Sequence, residues 1–269
     1  MLLAVDIGNS STKVGWFDLL VSAGELPTPR QVRDYPTGEP LPGSILADLS
    51  AGPVVWRIAS VQRAGEQVLA DWVREQRPAD DFRILTHRDL PLEVRVDFPD
   101  RVGLDRLAAV LAASRLLAER SSRQAGQPAA RTPAIVIDAG TAITVDLLDM
   151  DGAFAGGVIL PGFRLTAQAL AGGTNLLPLC TFTGQDQPPP VVGKNTQAAI
   201  ASGLFWGAVG AVREIISRIS ADLPTLPAIF VTGGDLRHLA PLVSDRAQFI
   251  PHLVLRGIAI ATSGERADG

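Results

Sequence analysis

One short pattern occurs twice in this chain and limits the folds open to it. Near the N-terminus, AVDIGNSSTKVGWF runs an apolar stretch into Asp6, then Gly8, a run of hydroxyl residues and a second apolar stretch. The spacing predicts strands over residues 2–5 and 14–17. The polar insert is too short for a helix, so the segment reads as a hairpin whose turn carries chemistry. From Ala134, AIVIDAGTAITVDLLD repeats the arrangement, with Asp138, Gly140, Thr141 and Thr144 in corresponding places. Asp-x-Gly by itself is ordinary turn chemistry. Matching strands and hydroxyls on both sides of it point to one supersecondary unit used twice.

Between and after the copies the chain reads as mixed α/β. Apolar residues fall at helical spacing over residues 103–120 (GLDRLAAVLAASRLLAER) and again over 195–220, and PAIFVTGGD reads as a strand entering a glycine turn. Strands rich in β-branched residues with intervening helices favour two α/β domains with a cleft between them. The polar stretch SSRQAGQPAARTP is the natural boundary. The expected division is therefore a first domain over 1–120, a linker over 121–133 and a second domain over 134–269.

Composition narrows the partners. With 46% apolar residues in 269, the chain has ample material for a sizeable core. Its net charge of −4, from 24 basic and 28 acidic residues, offers no basic field for nucleic acid or an anionic membrane. A small-molecule partner is the expectation. Cys180 is the single cysteine, which excludes an internal disulfide framework and a cysteine-rich zinc site; it agrees with a reducing cytoplasm and reads as a buried apolar residue. The first residues show neither a basic leader nor a long apolar run, and no later stretch reads as an uncharged membrane span. Asn9-Ser10-Ser11 matches a glycosylation sequon, but without a secretory signal the match carries no weight.

The first turn has the residues a phosphate chain requires. Gly8 permits a tight turn with its N–H groups presented, Ser10, Ser11 and Thr12 add donors, and Lys13 supplies positive charge. Asp6 is placed to hold Mg²⁺ directly or through water. Two such hairpins facing each other would clamp one nucleotide, and Gly233-Gly234 after a later strand would allow close backbone approach to it. In FPDRVGLDRLAA, Asp105 and Arg106 fall in the first turn of a helix, where they offer a base and an anion binder. Here the base is expected to stay ionised. VVGKNT is not a phosphate loop, since the first glycine of that pattern would fall on Pro188, and GxGxxG, HExxH, GxSxG and CxxC are absent. His87, His238 and His252 lack metal-ligand spacing and read as loop or surface residues, and the four tryptophans read as packing.

Six segments taken in order, DIGNSSTK, VGLDRLAA, IDAGTAITVD, GGVILPGF with LAGGTNLLP, GKNTQAAIASG and VTGG, resemble type III pantothenate kinase, of the acetate kinase, sugar kinase and actin superfamily. The resemblance runs nearly end to end. It implies two duplicated ribonuclease H-like (actin-like ATPase) domains and ATP-dependent phosphorylation of pantothenate to 4′-phosphopantothenate, the first committed step towards coenzyme A. It also implies roles. Asp6, Gly8, Asn9, Ser10, Ser11, Thr12 and Lys13 would bind ATP phosphates and Mg²⁺, with Thr141 also touching phosphate and Gly233 and Gly234 lining the nucleotide. Asp138 would ligate a monovalent cation, K⁺ or NH₄⁺. Gly103, Leu104, Asp105 and Arg106 would bind pantothenate with Asp105 as the base, and Thr196 would contact the substrate. Members are usually dimers with the site at the subunit interface.

One position departs from the family pattern: where many members carry a substrate-facing tyrosine, seven residues before Gly103, this chain has Val96. The 121–133 stretch and Pro188–Pro190 are further local elaborations. Two alternatives stand beside the kinase reading. One is a kinase or phosphatase of another small hydroxylated molecule on the same fold. The other is a non-catalytic nucleotide-binding regulatory protein, against which the retained Asp6, Asp105, Asp138 and Thr141 argue.

Overall fold

Strand β1, Leu2–Ile7, is buried at every position except Asp6, which is half-buried. Burial on both faces marks a central strand. It pairs antiparallel with β2 (Ser11–Phe17), which pairs antiparallel with β3 (Gln31–Pro36), and parallel with β4 (Val55–Ser60), which pairs parallel with β5 (Asp81–Ile84). The sheet order is β3-β2-β1-β4-β5. Because side chains alternate, one face carries Leu3, Val5, Ile7, Val14, Trp16, Trp56 and Ile58, and helix α1 (Arg63–Gln76) covers it with Leu69, Trp72 and Val73. Trp56 meets Trp72 edge to face at 6.2 Å between centroids. Helix α2 runs Leu104–Arg123. The structure, a computed structural model, describes residues 1–19, 24–123, 132–181, 187–234 and 239–263. Most of the expected linker and His238 lie outside them, and Ser121–Arg123 prove to be the last turn of α2.

The second sheet repeats the first. Strand β6 (Ala134–Ala139) has the same burial pattern as β1, again with the aspartate fifth. It pairs antiparallel with β7 (Ala142–Leu148); β8 (Phe154–Pro161) follows at that edge, and on the other side β6 runs parallel to β9 (Ala228–Thr232), which runs parallel to β10 (Ala247–Phe249). The order β8-β7-β6-β9-β10 matches β3-β2-β1-β4-β5 strand for strand. This is the duplicated ribonuclease H-like arrangement. One face carries Ile135, Ile137, Ile143, Val145, Ile229 and Val231, packed on α3 (Phe163–Gly172), α4 (Thr196–Ala221) and the single turn α5 (Ala240–Val243). Phe163 stacks on Phe205 at 6.1 Å, and Cys180 is buried in the same core. By length and composition α4 is apolar enough to cross a membrane, although, in line with the sequence reading, no span-length stretch of it is free of charge, since it carries Arg213, Glu214 and Arg218. Its buried side chains, among them Ile200, Leu204, Phe205, Val209, Val212 and Ile216, instead build this core.

The chain divides into two units, but not where the sequence suggested. Residues 134–269 were expected to form one domain. Helix α6 (Leu253–Ser263) belongs instead to the first unit, and so do Gly152–Phe154. The cause is close packing. A β-carbon at Gly257 would overlap the Ala108 carbonyl, so α6 crosses α2 backbone to backbone, and Leu255 sits where a β-carbon of Gly15 would be, on the second face of the first sheet. Replacing Gly257 with Ala is expected to force α2 and α6 apart and to cost about 1–3 kcal/mol in a urea unfolding experiment; an unchanged midpoint would remove this contact from the account of the fold.

Candidate active site

The first hairpin and the start of α2 meet at one end of the first sheet. At the end of β1 the Ile7 carbonyl accepts a hydrogen bond from Val61 N–H, just past β4 (3.0 Å). Gly103 lies against Val61, and Asp105 follows in the first turn of α2. Thus the hairpin that ends β1 and the carboxylate of Asp105 share the C-terminal ends of parallel strands, where α/β sheets place ligands.

The hairpin turn closes through Gly8 N–H donating to the Ser11 carbonyl at 3.0 Å. The run 8–13 divides between two faces. Lys13 sits directly across from Asp6, and Ser11 shares that face. Thr12 points the other way and is 7% exposed; its hydroxyl bonds to Thr37 Oγ1 at 3.1 Å, and Thr37 donates to the Gly8 carbonyl at 2.9 Å. Thr12 therefore shapes the turn, whereas the sequence had grouped it with the phosphate donors. The Thr37 brace was not foreseen, because nothing local in the sequence couples it to a turn some thirty residues earlier. Asn9 is exposed, and Gly8 and Ser10 are half-buried. His252, with φ of 59°, heads α6, and burial, then the Lys13 charge, hold its pKa below the ordinary histidine value.

At α2, Asp105 Oδ1 accepts the backbone N–H of Arg106 at 2.9 Å. A β-carbon on Gly103 would overlap that same oxygen, so the glycine leaves room for the carboxylate. Burial raises the pKa of Asp105 above the ordinary carboxyl value, and the Arg106 N–H and charge only partly offset it. The sequence reading weighed only the helix start and left out this burial. A raised carboxylate is the stronger base of the two. The Arg106 guanidinium lies over the Phe154 ring, 5.4 Å from its centroid. Val96 is half-buried.

In the second unit, Gly140 N–H closes the turn onto the Ala142 carbonyl at 2.9 Å, one residue shorter than in the first hairpin. Asp138 stands across from Thr144 on β7 and beside Thr232 on β9. Thr144 Oγ1 is buried without a hydrogen-bond partner, a free oxygen next to a carboxylate. That donor set suits a monovalent cation. Asp146, 1% exposed on the same face, was not singled out in the sequence. Thr141 and Gly140 are packed by Gly162 at the start of α3, whose N–H donates to the Thr141 carbonyl at 3.1 Å. The PGF motif was visible but had been given no role. Gly233, with φ of 116°, stacks on the Ala139 backbone where no β-carbon fits, and Gly234 follows in the open. Thr196 is exposed at the start of α4, capped by the Asn195 side chain, which accepts from Ala198 N–H at 2.8 Å. Among the described residues no cluster of three or more His, Cys, Asp or Glu is gathered for a metal ion.

The sequence profile of type III pantothenate kinase matches residues 2–218. The chain belongs to the type III pantothenate kinase family. A type III pantothenate kinase of Chlorobaculum parvum is 32% identical over 95% of this chain and 92% of its own length. That of Anaeromyxobacter sp. (strain K) is 33% identical over 97% and 98%. The relative from Dinoroseobacter shibae is 38% identical, with 66% of this chain aligned to 63% of that protein. Among solved structures the fold is shared with a protein assigned as a Baf family transcriptional activator from Campylobacter jejuni (TM-score 0.57, 18% identity, 98% of each chain). It is also shared with one assigned as a 2-dehydro-3-deoxygalactonokinase from Sinorhizobium meliloti (TM-score 0.52, 13% identity, 99% and 100%).

Burial of Asp105 ties the stability of this pantothenate kinase to pH. Its folded pKa lies above the unfolded value, so its stabilising contribution is complete below the unfolded pKa and is lost as pH rises through the folded one. Asp105→Asn is expected to raise the unfolding midpoint at neutral pH, a gain that shrinks as pH falls towards the ordinary carboxyl range. A lower midpoint for this variant at neutral pH would contradict the burial argument. Gly103→Ala, which displaces the carboxylate without removing it, is expected to lower kcat on the order of 10²-fold; unchanged turnover would show that the carboxylate position does not matter.

Proposed function

We propose that this pantothenate kinase phosphorylates pantothenate with Asp105 as the base and Arg106 as the anion binder of its substrate site. The observation that carries the reading is the meeting of the first hairpin and Asp105 through Ile7, Val61 and Gly103 at one end of the first sheet. Asp105 accepts the proton of the pantothenate hydroxyl at its carboxylate as that oxygen attacks the γ-phosphorus of ATP, and the bond from the γ-phosphorus to the β,γ-bridging oxygen breaks so that ADP leaves with that oxygen; Gly103 and Leu104 line the same site. The turn from Gly8 to Ser11 presents backbone and side-chain donors to the phosphates, Lys13 supplies charge, and Asp6 holds Mg²⁺. In the second unit Thr141 contacts phosphate, Gly233 and Gly234 allow the nucleotide to approach, and Asp138 with Thr144 holds K⁺ or NH₄⁺. When bound, these ions neutralise charge on the phosphates. Phosphoryl transfer needs alignment and charge neutralisation more than a strong base, and a buried carboxylate aligns the hydroxyl at little reorganisation cost. The enzyme works in the cytoplasm as a homodimer, with Thr196 contacting substrate at the subunit interface.

A coupled ADP-release assay with ATP, Mg²⁺ and K⁺ tests this reading. Release is expected to depend on pantothenate, to fall on the order of 10²-fold or more in Asp105→Asn, and to drop when Na⁺ replaces K⁺. ATP binding with no pantothenate-dependent release would favour another small hydroxylated acid or a regulatory protein. A monomer by sedimentation equilibrium at assay concentration would remove the interface from the proposal.

A further inference from the structure

Phe154 opens β8, yet it belongs with the first unit and is fully buried there. Two backbone hydrogen bonds fix it to the segment ahead of α2: Phe154 N–H donates to the Glu93 carbonyl and Arg95 N–H donates to the Phe154 carbonyl, both at 2.8 Å, around a parallel bridge to Val94. Its ring is the surface against which the Arg106 guanidinium lies, 5.4 Å from the centroid. We propose that Phe154 is a positioning residue of the reaction, whose ring holds the Arg106 guanidinium in the orientation that receives the anionic group of the substrate beside Asp105. The inference rests on reading Arg106 as the anion binder.

An aromatic face suits this task for a physical reason. Arginine has many rotamers to lose on binding an anion, and a partner that orders it in advance removes part of that cost. The ring attracts the cation through its quadrupole and takes none of the five donors. Clamped by backbone bonds on both sides, the ring is held where a freely moving side chain would not be. The same clamp ties down the segment that leads to Val96, so one residue steadies both Arg106 and the chain ahead of α2.

Steady-state kinetics on four proteins decides the matter: Arg106→Gln, Phe154→Leu, the double variant, and a protein with pentafluorophenylalanine in place of Phe154. Phe154→Leu is expected to raise the KM for pantothenate about 2- to 30-fold, with a smaller change in kcat. In the Arg106→Gln background the same change is expected to add nothing. The fluorinated ring keeps the shape of Phe154 while reversing its electrostatics, so it covers the case in which the leucine variant folds poorly, and a comparable rise in KM is expected. A wild-type KM with the fluorinated ring, or full additivity with Arg106→Gln, overturns the positioning role. If Arg106→Gln itself leaves KM unchanged, the anion-binder reading fails and takes this proposal with it. If Arg106→Gln raises KM and the fluorinated ring does not, the positioning role alone fails.

Discussion

Helix α2 approaches α6 closely because position 257 carries no β-carbon, and much of the site follows from that contact. Ala108, which receives Gly257, is three residues beyond Asp105 on the same helix. The crossing therefore sets the depth at which the first turn of α2 is held against the ends of β1 and β4. Depth in turn sets chemistry. A more exposed Asp105 would keep an ordinary pKa, whereas the observed burial raises it and leaves the Arg106 N–H and charge as a partial offset. Burying this carboxylate costs stability at neutral pH, and perturbed groups of this kind are common at active sites.

Missing β-carbons serve the second unit as well, though in another way. Gly162 allows the start of α3 to lie on the Thr141 and Gly140 carbonyls, and Gly233 allows the turn after β9 to lie on Ala139. Both contacts bring backbone onto the second hairpin turn, where a side chain would collide with the turn's own backbone. Neither glycine contributes a functional group. What they contribute is close backbone packing around the turn.

The hairpins, α2, α4 and the glycine turn after β9 were legible because each is encoded locally, by alternation or by helical spacing. Other features were not, and for physical reasons. Residues 253–263 were counted with the second domain by position alone, and only the small-residue contact of α6 with α2 assigns them to the first unit. Nothing in the sequence singles out Phe154, whose ring meets the Arg106 guanidinium only because the chain folds back to pair it with Glu93 and Arg95. Thr12 reads as one more hydroxyl in a polar run, but strand alternation turns it to the opposite face, where Thr37 receives it. The raised pKa of Asp105 was missed for the same reason. A helix N-terminus is visible in sequence, whereas the burial that outweighs it is a property of chain segments far apart.

The two copies of the hairpin also differ in a way that bears on the proposed ions. Asp6 and Asp138 hold the same place in matching strands, but the residue across the ladder is Lys13 in the first copy and Thr144 in the second. The first carboxylate thus has a cation built in at its cross-strand position, within reach of a phosphate chain. The second faces a neutral hydroxyl whose oxygen has no hydrogen-bond partner, with Thr232 on its other side. A buried oxygen left unpaired costs stability unless something coordinates it, and a monovalent cation beside Asp138 would satisfy both the oxygen and the charge. The two carboxylates thus hold equivalent places in matching strands, and what differs is the residue across the ladder, a lysine facing the first and a hydroxyl facing the second.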